Sequence, residues 1–273
     1  MGNLKIRKPA VAGQFYFSSP DQLRKQIASF FSKTCDKRDA IACMLPHAGY
    51  MYSGAVAAMT LASVNIRDKV ILIGPNHTGY GAQFSVMAEG IWETPLGQVS
   101  IDSDLARQLL KHSPYLKEDI LAHMYEHSLE VELPLLQYFK PDFQMVPIVI
   151  HSDEPAVLKE IGRGIAKGIT ESGLKGRVLI VASSDMTHYE PQETAQKKDR
   201  QAIEAILKLD EDALAAKIAE FDISMCGYAP VVVTLAAAKA LGAVSARLIT
   251  YQTSGDVSGD YGSVVGYAGM VIQ

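Results

Sequence analysis

Cysteine is scarce in this chain: Cys35, Cys43 and Cys226 are its only three in 273 residues. So sparse and odd a set does not build a disulfide framework, which points to a reducing, cytoplasmic setting. Long hydrophobic runs are also lacking. The apolar stretches at 70–73 and 178–181 have the length of core strands, far short of the roughly 20 residues a membrane span needs, so no membrane partner is expected. The basic residues near the N-terminus have no apolar stretch behind them, and no signal peptide is expected. Positive charge is not in surplus: 26 Lys and Arg stand against 30 Asp and Glu, a formal net charge of −4. With the basic residues scattered, a nucleic acid partner is not expected. No Pro-, Gly- or Ser-rich linker and no fixed-period repeat divides the chain, so one domain over 1–273 is expected.

What is present is a core-forming composition, 48% hydrophobic, with β-branched runs alternating with amphipathic stretches. That alternation predicts a three-layer α/β/α fold around a mostly parallel or mixed sheet. Strands are expected at 41–45, 69–73, 83–88, 144–150, 177–182, 246–250 and 263–270. Helices are expected at 21–31, 53–62, 103–111, 128–139, 154–171, 192–208, 211–218 and 229–241, the last stopped by Gly242.

Ligands of open α/β sheets bind beyond the carboxyl ends of strands. Three of the seven histidines lie there. His47 follows the strand at 41–45 in Pro46, His47, Ala48, Gly49, Tyr50. His77 follows 69–73 in Gly74, Pro75, Asn76, His77. His188 follows 177–182 in Ser183, Ser184, Asp185, Met186, Thr187, His188. The fourth candidate, Cys226, precedes an apolar helix whose first turn carries Pro230. There the helix dipole favours thiolate, the form that binds metal. Two histidines and a cysteine with an open position suit zinc, copper or iron. His188 is then the candidate acid/base, and Asp185 either orients it or serves as a further ligand.

Three other features compete. His123, Glu126 and His127 form a His-x-x-Glu-His pattern, an inverted zinc-protease motif; alternatively His127 lines the main cleft, or Ser128 caps a helix. His112 and His151 read as structural, Cys43 as a buried hydrophobe and Cys35 as a loop residue. The Gly-, Ser- and Asp-rich segment 253–262 lacks phosphate-loop and dinucleotide spacing and reads as a cleft lid or a surface loop.

Together these segments resemble the Memo family, whose prokaryotic members are called AmmeMemoRadiSam system protein B. The resemblance runs from Arg7, Lys8 and Pro9 through Pro46-His47-Ala48-Gly49-Tyr50 and Gly74-Pro75-Asn76-His77. It continues through Trp92-Glu93-Thr94-Pro95-Leu96-Gly97, Glu126-His127-Ser128, Ser184-Asp185-Met186-Thr187-His188-Tyr189 and Cys226-Gly227. It implies a fold related to class III extradiol non-haem iron dioxygenases, which hold Fe(II) with two histidines and a glutamate. It further implies that His47 and His77 match the histidine ligands, that Cys226 replaces the glutamate, and that His188 matches the acid/base histidine. A thiolate in that place turns metal preference toward copper or zinc. The family name implies a link to AMMECR-type and radical-SAM proteins, and eukaryotic members are described as signalling mediators that recognise phosphotyrosine peptides. The functions expected are a metal-dependent redox enzyme acting on a small substrate, aromatic ones included, a non-catalytic binding or adaptor module, or a zinc hydrolase.

Overall fold

The computed structural model describes residues 5–31 and 36–273, so the expectation for Cys35 lies outside the described residues. The strands are β1 (Ile6–Arg7), β2 (Ala42–Leu45), β3 (Lys69–Pro75), β4 (Phe84–Val86), β5 (Ile91–Thr94), β6 (Gly97–Ile101), β7 (Lys117–Glu118), β8 (Gln144–Ile150), β9 (Val178–Ser183), β10 (His188–Glu190), β11 (Ala246–Thr253) and β12 (Val264–Ile272). The helices are α1 (Pro20–Ser29), α2 (Tyr50–Ala62), α3 (Ser103–His112), α4 (Leu121–Met124), α5 (Glu132–Phe139), α6 (Pro155–Glu171), α7 (Gln192–Leu207), α8 (Glu211–Glu220), α9 (Tyr228–Leu241) and α10 (Gly255–Ser258).

The strands form one mixed sheet whose centre runs β8-β3-β9-β2, all parallel, with β12 antiparallel beyond β2. The central strands are apolar on both faces because both are covered. Ile71, Ile73, Ile180 and Ala182 face α3, α6, α7, α8 and α9, while Val70, Leu72, Leu179 and Val181 face α1, α2 and α5. Alternate residues thus feed two cores, which makes the α/β/α sandwich. Pro147 is tolerated inside β8 because it falls where the partner on that edge changes, from β6 at 144–145 to β4 at 148–150.

The expected elements all form, with shifted ends. One helix starts later than its apolar pattern suggests, at Glu132 rather than 128. Pro134 is tolerated only in a first turn, and residues 127–131 are spent on turns and polar contacts instead. The hairpin of β5 and β6 escapes the sequence reading, because its strands are short and only half buried. Within the segment 253–262, Gly255–Ser258 form α10 and Asp256 accepts from the Thr253 N–H at 2.7 Å; none of its residues lines the histidine cleft. Among the described residues, no helix is long and apolar enough to cross a membrane.

A knot of buried charge braces the N-terminal segment. Arg7 pairs with Glu130, donates to the carbonyls of His123 and Glu126, and lies over the Trp92 ring at 4.4 Å. Glu130 also accepts from the backbone N–H of Ala10 and Val11 and from the Tyr16 hydroxyl. This knot holds residues 126–130 against the sheet rim where the site lies.

Candidate metal centre

Since β3, β9 and β2 are adjacent and parallel, the connections that follow them open side by side. His47 lies in the link between β2 and α2, His77 just past β3, and Asp185 and His188 past β9. The residue before the α9 N-cap, Cys226, comes in from the far side of the chain. Phe15, His47, His77, His127, His188 and Cys226 are among the residues lining one open cleft of about 460 Å³. The four residues singled out from the sequence therefore do meet.

His47 Nε2 and Cys226 Sγ are 3.3 Å apart, and the donor atoms of His47, His77 and Cys226 all lie within 4.8 Å of one another. One metal ion with bonds of about 2.0 Å to nitrogen and 2.3 Å to sulfur spans the 3.3 Å between His47 Nε2 and Cys226 Sγ. The hydrogen bonds behind the rings decide which nitrogens are free. His77 Nδ1 faces the Glu126 carboxylate at 2.9 Å, and that carboxylate also takes the His77 and Ser128 backbone N–H groups. Burial works against charge on Glu126, but the His77 contact, the Ser128 N–H and His127 outweigh it and hold the group down to about 2. An ionised carboxylate only accepts, so His77 Nδ1 carries the hydrogen and Nε2 keeps its lone pair.

His47 is settled the same way. Its Nδ1 lies 2.7 Å from Ser183 Oγ, whose single hydrogen goes to the Ser128 carbonyl at 2.7 Å. His47 Nδ1–H therefore donates, and Nε2 presents a lone pair beside Cys226. Burial, then the neighbouring imidazoles, push His47 well below the ordinary histidine range, and burial lowers His127 as well. Neutral imidazoles with the inner nitrogen protonated are the form that binds metal.

Cys226 departs from the sequence reading. Burial, followed by the Asp185 charge, raises its thiol above the ordinary range, so the helix dipole alone does not make it a thiolate. A bound metal would, because a coordinating thiol is deprotonated outright.

Asp185 also differs from expectation. Its carboxylate accepts from the backbone N–H of His47 at 2.8 Å and of Ala48 at 3.3 Å, and among the described residues no hydrogen bond joins it to the His188 ring. The ring is oriented instead by Ser224, whose carbonyl accepts from Nδ1 at 2.9 Å while its hydroxyl accepts the His188 N–H at 2.8 Å. The Nε2 of His188 is left as an acceptor on a half-buried residue in the cleft wall. His127 stacks on His77 at 4.6 Å and meets Phe15 at 4.9 Å, so it lines the cleft.

The inverted zinc-protease motif does not assemble. His123 is fully buried on α4, with Nε2 3.1 Å from Ser85 Oγ and its ring beside Trp92. His127 lines the cleft and Glu126 backs His77, while His123 lies away from the site, because α4 ends at Met124. His112 Nε2 lies 2.8 Å from Glu171 Oε2 and His151 Nδ1 3.1 Å from the Asn76 carbonyl, both outside the histidine cleft. The residues missed from sequence are Ser183 and Ser224. The role of Glu126 behind His77 was also missed; the only hint was a carboxylate next to a histidine, the usual partner of a metal-bound imidazole.

Comparison with known proteins follows the same lines. The chain matches the family described as Memo-like protein over residues 7–271. It is 43% identical to a MEMO1 family protein of Methanopyrus kandleri, over 98% of this chain and 99% of that protein. It is 44% identical to a MEMO1 family protein of Aquifex aeolicus, again over 98% and 99%. Its fold is similar to the crystal structure of an uncharacterized protein from Escherichia coli K12, with a TM-score of 0.58 at 17% identity, covering 84% of this chain and 98% of that one.

Proposed function

This chain belongs to the Memo-like protein family, and from that premise we propose that its cleft is a metal-dependent redox centre acting on a small substrate. In this reading His47, His77 and Cys226 hold the metal, His188 handles the proton, and His127 and Phe15 form a wall against which substrate packs. The observation that carries it is the backing of the two imidazoles. Both Nδ1–H groups are committed to acceptors behind the rings, so both Nε2 lone pairs converge with the Cys226 sulfur. A fold has no structural need to aim three soft donors at one point from three separate connections.

Fe(II) is the metal the resemblance to class III dioxygenases favours, and the cysteine donor suits copper or zinc. When bound, such a metal supplies Lewis acidity and, for iron or copper, one-electron chemistry. The protein supplies the rest. His188, fixed by Ser224, offers Nε2 to take a proton from a substrate hydroxyl and return it later. Asp185 holds the His47–Ala48 backbone, so it acts on the position of His47 rather than on His188. Functional association with AMMECR-type and radical-SAM proteins is part of the same proposal.

Elemental analysis of protein purified without oxygen tests it. One transition metal per chain is expected, lost in His47→Ala, His77→Ala and Cys226→Ser, with oxygen uptake on phenolic substrates lost in His188→Ala at unchanged metal content. Metal content unaffected by all three ligand substitutions would sink the assignment. Zinc with oxygen-insensitive hydrolysis would replace it by a hydrolase. Peptide binding in the cleft, indifferent to metal and to His188→Ala, would replace it by a binding module.

A further inference from the structure

The hydroxyl of Ser183, at the end of β9, has three neighbours. They are the Ser128 carbonyl and His47 Nδ1, each at 2.7 Å, and Glu132 Oε1 at 3.1 Å. A hydroxyl carries one hydrogen and two lone-pair sites. The Ser128 carbonyl can only accept and lies closer than the Glu132 oxygen, so the hydrogen goes there. The other two neighbours must then donate. His47 does so through Nδ1–H, and Glu132 can do so only as a carboxylic acid.

The alternative charge state fails on the same count. An ionised Glu132 would compete with the Ser128 carbonyl for a single hydrogen. Among the described residues its other oxygen, Oε2, has no hydrogen-bond partner, and the side chain is fully buried in the first turn of α5. An unpaired charge in such a place costs far more than a neutral acid, whose second oxygen is an ordinary carbonyl. Burial above all, with the Asp185 charge adding and the Ser183 contact opposing, pushes Glu132 well above the usual carboxylate range.

We propose that Glu132 is a positioning residue, a neutral acid that donates to Ser183 and through it holds the His47 ring with Nε2 toward Cys226 and His77. The two histidines are then backed differently. His77 leans on the ionised Glu126, whereas His47 leans on an uncharged pair. Ser128 joins the two arms, giving its N–H to Glu126 at 2.9 Å and its carbonyl to Ser183 at 2.7 Å. The functional meaning rests on His47 being a metal donor; the protonation of Glu132 does not.

The test pairs two measurements on the full chain. Infrared spectra of protein with isotope-labelled glutamate should show a carboxylic-acid carbonyl band at neutral pH that vanishes in Glu132→Gln. Zinc titration against a chromophoric chelator should give Glu132→Gln an affinity within about threefold of wild type, because its amide N–H₂ also donates to Ser183. Glu132→Leu should bind about 10-fold or more weakly, the usual cost of losing a partner behind a ligand. Rescue by Gln but not Leu is a pattern that simple packing does not produce. No acid band, equal loss in Gln and Leu, or full affinity in Leu would each overturn the proposal. Should Glu132→Leu not fold, Ser183→Ala replaces it, with the same loss expected and full affinity again decisive against. If wild-type protein binds none of zinc, copper and Fe(II), the metal reading fails, while the infrared band still decides the state of Glu132.

Discussion

Glu126 grips His77 at two points, one carboxylate oxygen facing the ring Nδ1 at 2.9 Å and the other accepting the His77 backbone N–H. Ring orientation, tautomer and loop position are thus fixed by one buried side chain. Carboxylate–histidine pairs of this kind accompany metal-bound imidazoles, where they fix the ring and raise its basicity.

Glu126→Gln should therefore weaken metal binding about 10- to 100-fold. The amide keeps the shape, but it lacks the charge and cannot accept from both the ring and the two backbone N–H groups. Competition titration of zinc against a chelator reads the change. Wild-type affinity would mean that Glu126 serves the fold alone.

His123→Gln should leave metal content untouched, since His123 is buried against Ser85 and Trp92 on the far side of α4. Stability should fall by about 1–3 kcal/mol, the usual cost in a packed polar pocket. Burial lowers the His123 imidazole to about 3. The stability this neutral ring contributes is complete above the unfolded value of 6.5 and is lost as pH falls below it. The gap between variant and wild type should accordingly narrow between pH 7 and pH 5 in thermal melts. Loss of metal in this variant would revive the protease-like motif.

Gly227→Ala should both destabilise the fold and loosen the site. A Cβ there would stand 2.3 Å from the Ser183 carbonyl oxygen and 2.5 Å from Ser184 Cβ. The first of these is backbone and cannot swing aside, so the start of α9 must lift away from β9 and take Cys226 with it. Overpacking of this kind costs about 1–3 kcal/mol. A lower Tm with weaker metal binding is expected; a lower Tm at full affinity would show that Cys226 is not held by this contact.

Glu132 gives the pH dependence. Its folded-state value is raised, so folding takes up a proton at every pH above the unfolded value of 4.5 until the folded value is reached. Stability falls with pH over that window, by at most about 1.4 kcal/mol per pH unit for one proton. Glu132→Gln removes the titration. Its stability relative to wild type should rise as pH climbs above 4.5, as read by urea unfolding. A difference independent of pH would mean that Glu132 is ionised in the folded protein.

By itself the sequence determined the alternation of strands and helices, and with it the sheet rim at which His47, His77 and His188 emerge. The reason is local. Short, β-branched apolar runs such as 70–73 and 178–181 have the length of strands covered on both faces, and Gly74 and Pro75 follow the first of them. It also placed Cys226 at a helix start, through Pro230. Tertiary structure alone decided what those residues touch. Cys226 meets His47 across 179 positions of chain because β2 and β9 are neighbours in the sheet and α9 begins against the end of β9. It set Ser224 rather than Asp185 behind His188, turned His123 away from its motif, and put Glu126 and Glu132, both fully buried, behind different imidazoles. Their charge states follow from the count of donors and acceptors inside a closed network. Residue spacing carries no trace of that count, because the partners come from strands and turns far apart in the chain.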